Sequence, residues 1–377
     1  MADHSVRSTC RLCSSPSLTT VLELNPTPLA NELLSDPDES AKQERFPLLL
    51  VQCCACGHVQ LPVVVKPERL FPPSYPYQSG TSAVFREHLA ELHGVVQRLL
   101  KHSYPGVVLD VGCNDGTFAS MFVDKAFGVD PAAPERMGFF RGFFGMEWAK
   151  KNSPYARFEV VTALNVFAHV DDLNDFAGAA SFVLEPDGLF LIEVGYLPDV
   201  IATRNYPVIY HEHLSYHTLR PLVSFFERHG MTMVDAHRID SQGGSVRIFV
   251  RNGPGEQSDR LQKLIAEEPE TFEFKVLSEK MLEDRATLNG LGWYWGYGAP
   301  AKLTTLLHAT GAEKPVGVLD DNPLKVGKFV PGTDVPIIRA SNVDLLSEKR
   351  DAVIFSANFA DDIKARHPEF KGRWVVL

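Results

Sequence analysis

Five of the six cysteines in this 377-residue chain fall within the first 56 positions. Cys10-Arg-Leu-Cys13 and Cys53-Cys-Ala-Cys56 each put two residues between thiols. A turn of that kind aims two sulfurs at one point, so Cys10, Cys13, Cys53 and Cys56 can close a tetrahedron around a structural Zn²⁺. Gly57 then offers the left-handed residue that a tight knuckle often needs. Redox cysteines or plain buried thiols are the alternatives, and only Cys54 and His58 argue for an open, catalytic zinc. A second group is the turn Asp110-Val-Gly112-Cys-Asn114-Asp115-Gly116, with Asp130 closing the next apolar run. It lacks the G-x-G-x-x-G spacing that suits a pyrophosphate. The carboxylates Asp110 and Asp115 would repel phosphates and attract a cationic amino-acid end. That combination points to S-adenosylmethionine, with Asp130 placed to accept both ribose hydroxyls. A purely structural turn of another α/β fold is the bland alternative. The third group is Tyr210-His211-Glu212-His213, together with His169 just after Asn165. These are general acid–base types. Two histidines beside a carboxylate also suit a metal, but residues i and i+2 share a face only in a strand and no third ligand is evident.

Apolar strands alternating with helices must position these groups. Phe46 to Val51 reads as a strand between the cysteine pairs. The spacing of Val84, Phe85, Leu89, Leu92, Val95, Val96, Leu99 and Leu100 predicts a helix with Ser82 as N-cap. Val107 onward is a strand entering the glycine turn, with a helix predicted to begin near Thr117. Further strands are read at 126–130, 160–167 and 188–193. The pattern indicates a parallel sheet with its ligand site at the carboxyl ends of the strands. Residues 256–285 are charged and helix-prone, apart from Pro269. A second strand–turn–helix starts at Gly292-Trp-Tyr-Trp-Gly296-Tyr-Gly298-Ala-Pro-Ala-Lys302, with strands near 316–320 and 351–355. Lys302 stands where a phosphate would meet a helix N-terminus, and Gly298 lets the backbone approach. A capping turn with a surface lysine is its alternative. Arg247, after Gly243-Gly244, is a further anion candidate.

Composition bounds the function classes. Lys plus Arg is 37 and Asp plus Glu is 47, a net charge of −10. Such a chain is a poor non-specific nucleic-acid binder. No run approaches the ~18 apolar residues of a membrane span, and the N-terminus has no apolar signal core. Thiols kept for metal suggest a cytoplasmic location. At this length more than one domain is expected.

D-V-G-C-N-D-G followed by G-V-D-P resembles the S-adenosylmethionine-dependent class I methyltransferases. The whole chain is similar to their sugar C-methyltransferases, which act on nucleotide-linked 4-ketosugars. The landmarks run in order: the cysteine pairs, Tyr75-Pro-Tyr77-Gln-Ser79-Gly-Thr-Ser82, Asn165-Val-Phe-Ala-His169, Ile209-Tyr210-His211-Glu212-His213, Gly243-Gly-Ser-Val-Arg247, and Gly296-Tyr-Gly298-Ala-Pro-Ala-Lys302. The resemblance implies an α/β chain with a small zinc-binding domain (1–70), a class I methyltransferase Rossmann-like domain (71–255) and a C-terminal Rossmann-like domain (256–377). The nucleotide sugar would lie between the second and third. It implies Zn²⁺ and S-adenosylmethionine as cofactors, the latter held by Asp110, Gly112, Asn114, Asp115, Gly116, Asp130 and Asn165. His213 would be base or enolate-stabilising acid with Tyr210 as partner. Glu212 would orient a ring or bind the sugar, and His169 would take the other proton-transfer role. Tyr75, Tyr77, Ser79, Arg247, Gly298 and Lys302 would contact substrate, and methylation would fall at C3 in deoxysugar biosynthesis. One departure stands out. Only residues 131–158 separate Asp130 from Glu159, where a helix, a strand and another helix are usual; there is little room for two helices, so Phe143 or Phe144 is expected to stack on adenine. Methylation of a non-sugar natural product, or a silent scaffold that keeps both α/β domains, are the competing readings. Oligomeric state is left open, a monomer included.

Overall fold

Successive strand residues point to opposite faces of a sheet, and here both faces are apolar. In the computed structural model, Val108, Val160, Leu191 and Phe249 pack with Phe85, Leu89, Leu92 and Val96. Leu109, Val161, Phe190 and Ile248 pack with Phe176, Ala177, Ala180 and Leu222. A sheet covered on both faces needs such unbroken apolar strands. The structure describes residues 3–100, 107–122, 126–152, 157–241, 243–341 and 350–377. They form two compact units. The first comprises Met1–Thr19, Val51–Asp199 and Leu214–Phe272, and the second Thr20–Leu50, Val200–His213 and Glu273–Leu377.

The first unit is built on seven strands: β1 (Val108–Val111), β2 (Ala126–Asp130), β3 (Phe139–Arg141), β4 (Phe158–Leu164), β5 (Leu184–Gly195), β6 (Met231–Ile239) and β7 (Ser245–Asn252). Their order is β3-β2-β1-β4-β5-β7-β6. The first five are mutually parallel, and β7 runs antiparallel to both β5 and β6. Helix α1 (Ala83–Leu99) carries the predicted apolar spacing, and Ser82 caps it by accepting from the Phe85 N–H at 3.2 Å. The order reverses at β1 and β4, where a ligand crevice is expected outside the carboxyl ends of the strands. This is the class I methyltransferase sheet.

One expectation needs correction. No α-helix begins near Thr117 among the described residues; the chain makes a turn and then a 3₁₀ segment, Ala119–Phe122. The Thr117 N–H and hydroxyl both donate to Asp115 Oδ1, at 3.1 and 2.6 Å, which diverts the first turn. The short segment after Asp130 supplies β3 and helix α2 (Met146–Asn152) but no helix between β2 and β3, one helix and not two, as its length implies. Phe144 is packed against Trp148 and Phe176 as part of the core, whereas Phe143 is exposed. Helix α3 (Leu173–Val183) follows β4, and α4 (Leu219–Arg228) precedes β6.

The second unit holds five parallel strands: β8 (Trp295–Tyr297), β9 (Val318–Asp320), β10 (Ile337–Arg339), β11 (Ala352–Ile354) and β12 (Trp374–Val376), in the order β10-β9-β8-β11-β12. Helix α5 (Ala301–Thr310) follows β8. The predicted strand–turn–helix from Gly292 is therefore present.

Candidate active site

The two cysteine knuckles repeat one backbone pattern. The Ser14 N–H donates to the Cys10 carbonyl and the Gly57 N–H to the Cys53 carbonyl, at 2.9 and 2.8 Å. Ser14 and Gly57 both adopt positive φ, 61° and 80°. The four sulfurs all lie within 4.8 Å of one another, with Cys10–Cys56 at 3.6 Å and Cys13–Cys53 at 3.5 Å. Thiolates in a tetrahedral zinc centre stand ~3.8 Å apart, so the donor set fits Zn²⁺.

At the crevice, Asp110 is buried on β1 and accepts from the Thr162 hydroxyl at 2.8 Å. Burial first, and then the nearby Asp130 carboxylate, push its acid up to about 7. A neighbouring cation would restore its charge, which fits an ammonium-bearing cofactor. Asp130 ends β2. It accepts from the Asn114 N–H at 3.1 Å and the Ala132 N–H at 2.7 Å, and burial raises its acid. Gly112, Asn114 and Gly116 all have positive φ. Gly112 is also crowded, because a Cβ there would stand 2.1 Å from Val166 Cγ2.

The aromatic loop before α1 is latched onto this turn. The Ser79 N–H donates to Asn114 Oδ1 at 3.0 Å, and the Gly80 N–H to Asp115 Oδ2 at 2.9 Å. Asn114 Nδ2 donates to the Tyr77 carbonyl at 3.0 Å. Asp115 is therefore engaged in holding the loop as well as the turn. Asn165 follows β4 at φ 57°, and its N–H donates to the Glu193 carbonyl at 2.8 Å. His169 ends a 3₁₀ turn, Phe167–His169, and stacks on Phe71 with ring centroids 5.5 Å apart; Tyr75 packs on the same ring at 5.6 Å. Arg247 is buried, with Nε 2.6 Å from Glu193 Oε1 and Nη2 2.8 Å from Glu91 Oε2. The guanidinium expected to bind an anion is thus paired with two carboxylates, the buried Glu193 and the exposed Glu91. His88 completes the group, with Nε2 2.7 Å from Glu193 Oε2. His88, which the sequence gives as core-satisfied or solvated, meets Glu193 across 105 residues of chain, and Arg247 meets it across 54, so local spacing does not show the group.

The second unit holds the other predicted group. His213 Nδ1 donates to the Val208 carbonyl at 2.7 Å, and the His213 ring lies 4.1 Å from that of Tyr210. Desolvation pulls the His213 pKa down to about 4. Glu212 is buried and accepts from Asn31 Nδ2 at 2.8 Å. His211 packs edge-on to Phe46. Gly298 has φ 82°, and a Cβ there would stand 2.2 Å from Ser356 Oγ. Helix α5 has no side-chain cap. Lys302 in its first turn makes no hydrogen bond or ion pair to another described residue, and burial lowers its pKa. Lys325, which sequence reading passed over, donates from Nζ to the Ala299 carbonyl at 2.8 Å. Its place after Asp320-Asp-Asn-Pro323 was the available signal.

Three family profiles match in succession: "Putative zinc binding domain" over residues 10–71, "Methyltransferase domain" over 85–236 and "C-methyltransferase C-terminal domain" over 291–377. The chain is 30% identical over 402 residues to C-methyltransferase NovU of Streptomyces niveus, covering 97% of this chain and 94% of the relative. A ubiquinone biosynthesis O-methyltransferase of Bradyrhizobium sp. (strain ORS 278) is 29% identical over 96 residues, 22% of this chain and 38% of that one. The solved magnesium protoporphyrin IX methyltransferase (ChlM) of Synechocystis PCC 6803 with bound SAH overlaps 46% of this chain and 89% of its own, at 11% identity and TM-score 0.34. No described helix is long and apolar enough to cross a membrane. A four-thiolate centre, a class I sheet with an acid at the end of β2 and a near-full-length relative agree: the chain belongs to the NovU-like C-methyltransferase family and is an S-adenosylmethionine-dependent C-methyltransferase.

Proposed function

We propose that the enzyme methylates C3 of a nucleotide-linked deoxy-4-ketosugar through an enolate. Bound S-adenosylmethionine supplies an electrophilic methyl group on a sulfonium. Asp110, Gly112, Asn114, Asp115, Gly116, Asp130 and Asn165 hold that cofactor. Tyr75, Tyr77 and Ser79 cover the sugar, while Gly298 and Lys302 take the diphosphate at the start of α5. Domains at 1–70, 71–255 and 256–377 and a cytoplasmic location belong to the same reading.

The observation that carries it is the pairing of Tyr210 with a His213 ring anchored at Nδ1. A carbonyl can only accept, so the His213 proton sits on Nδ1 and Nε2 keeps its lone pair. Of base and acid, that tautomer favours the base. The proton on C3 is acidified by the adjacent carbonyl. His213 Nε2 takes it and the C3–H electron pair moves into the enolate, whose C3 would accept the methyl group that the bound cofactor would supply. Charge developing on the enolate raises the basicity of the neighbouring ring. The Tyr210 hydroxyl donates to the enolate oxygen, which is where a preorganised donor helps most. His169 takes the remaining proton-transfer role, and Glu212 orients a ring or binds the sugar.

The test incubates the enzyme with nucleotide-linked 4-ketosugars and a CD₃-labelled methyl donor. The expected product carries the label on C3, with loss of a deuteron previously placed there. Label on another carbon, or no labelled sugar from any 4-ketosugar offered, overturns the reading.

A further inference from the structure

Both zinc knuckles reach beyond their metal. Arg11 lies between the ligands Cys10 and Cys13, and its side chain is fully buried. Its Nη1 donates to the carbonyls of Leu61 and Leu214, at 2.6 and 3.2 Å. Nε and Nη2 approach Asp171 Oδ1 at 3.1 and 3.0 Å. The Arg11 carbonyl in turn accepts from Asn174 Nδ2 at 3.0 Å. From the other knuckle, His58 stands two residues past Cys56. Its ring lies 5.4 Å from that of His217, which stacks at 5.0 Å on Phe167. Phe167 and Asp171 bracket His169, and Asn165 begins the same turn. An arginine from one knuckle and a ladder of rings from the other therefore hold the 165–171 turn at Asp171 and at Phe167.

An isolated structural zinc needs none of this, since four thiolates close their own tetrahedron. Two fully buried polar side chains next to metal ligands, one meeting Asp171 directly and the other linked through His217 to Phe167, are better explained as a clamp. We propose that the zinc centre holds the 165–171 turn in place, with Arg11 and His58 as positioning residues for Asn165 and His169. The clamp rests on the reading that those two residues serve the cofactor and the substrate. Positioning errors of about 1 Å can cost ~100-fold in rate even when the change lies far from the chemistry.

The test uses the full-length, zinc-loaded chain. Asp171→Ala removes the anchor; the double variant Arg11→Met with Asp171→Ala also removes the stranded buried charge and protects folding. Zinc content, the imidazole NMR signals of His169 and the affinity for S-adenosylhomocysteine are measured on each. We expect one zinc per chain throughout, shifted His169 signals, and affinity weakened about tenfold as the turn relaxes. Asp171→Glu, which can still meet Arg11, restores most of both. Unchanged His169 signals and unchanged affinity in the zinc-loaded double variant overturn the clamp. Should both readouts move as expected while wild-type enzyme methylates no 4-ketosugar, the clamp stands and the substrate assignment falls.

Discussion

At the residue scale, environment sets which proton each group can move. Burial holds His213 neutral, with a pKa of about 4, against an ordinary histidine near 6.5. If neutral His213 is the base, the acid limb of kcat/KM belongs well below pH 6. A limb near 6.5 would assign the essential proton elsewhere. Replacing His213 with Ala should cut turnover by ~100- to 10,000-fold, the usual range for a lost general base, while the dissociation constant for S-adenosylhomocysteine stays put. Loss of cofactor affinity in that variant would remove His213 from the chemistry. Asp110 runs the other way. Its folded acid, raised to about 7, binds a proton that the unfolded chain has released above about 4. Its contribution to stability is therefore fully present below about pH 4 and is lost as pH rises through 7. Asp110→Asn has no such slope, so its melting temperature should gain on wild type between about pH 5 and pH 8. A constant difference across that range would show that the carboxyl is ionised throughout.

At the scale of elements, the carboxyl ends of β1, β2 and β4 bring together groups spread over 55 residues, and this much was legible in the sequence. Apolar runs ending in Asp110, Asp130 and Asn165 announce strands, and glycines between them announce turns. The predicted α-helix after the turn was not legible as a 3₁₀ segment, because helical propensity does not show that Asp115 captures Thr117. Nor did the shortened segment after Asp130 betray β3, whose three residues are too few to show alternation. The latch between residues 77–80 and the turn joins positions 35 to 37 apart, a pairing that no local pattern encodes. Gly112 ties these elements together. At φ 72° with Val166 against it, Gly112→Ala must move either the turn or the residue after Asn165. Left-handed strain alone costs ~1–3 kcal/mol. Both the melting temperature and the affinity for S-adenosylhomocysteine should fall together, and a variant that lost stability with full affinity would separate the turn from the cofactor.

At the scale of the molecule, the zinc knuckles are not a tethered appendage. Cys10, Leu12 and Cys53 share one hydrophobic core with Phe167, Phe176 and Phe190, and they fall in the same compact unit as the seven-stranded sheet. The sequence located the four ligands, since two Cys-x-x-Cys turns have few other uses. It did not show that the residues around them are core residues of the sheet, because burial is a property of partners and not of spacing. A metal inside a shared core couples to the folding of everything that core contains. Cys10 is fully buried, so Cys10→Ser should release the zinc and also lower the temperature at which the sheet unfolds. For a unit of this size each 1 kcal/mol lost moves the midpoint by ~2–4 °C, and losing a structural metal should exceed that several-fold. Calorimetry of the variant beside zinc analysis decides the matter. A zinc-free chain whose main transition keeps its wild-type midpoint would mean that the knuckles fold and melt by themselves. A transition that falls with the metal would mean that the thiolates and the sheet form a single cooperative body.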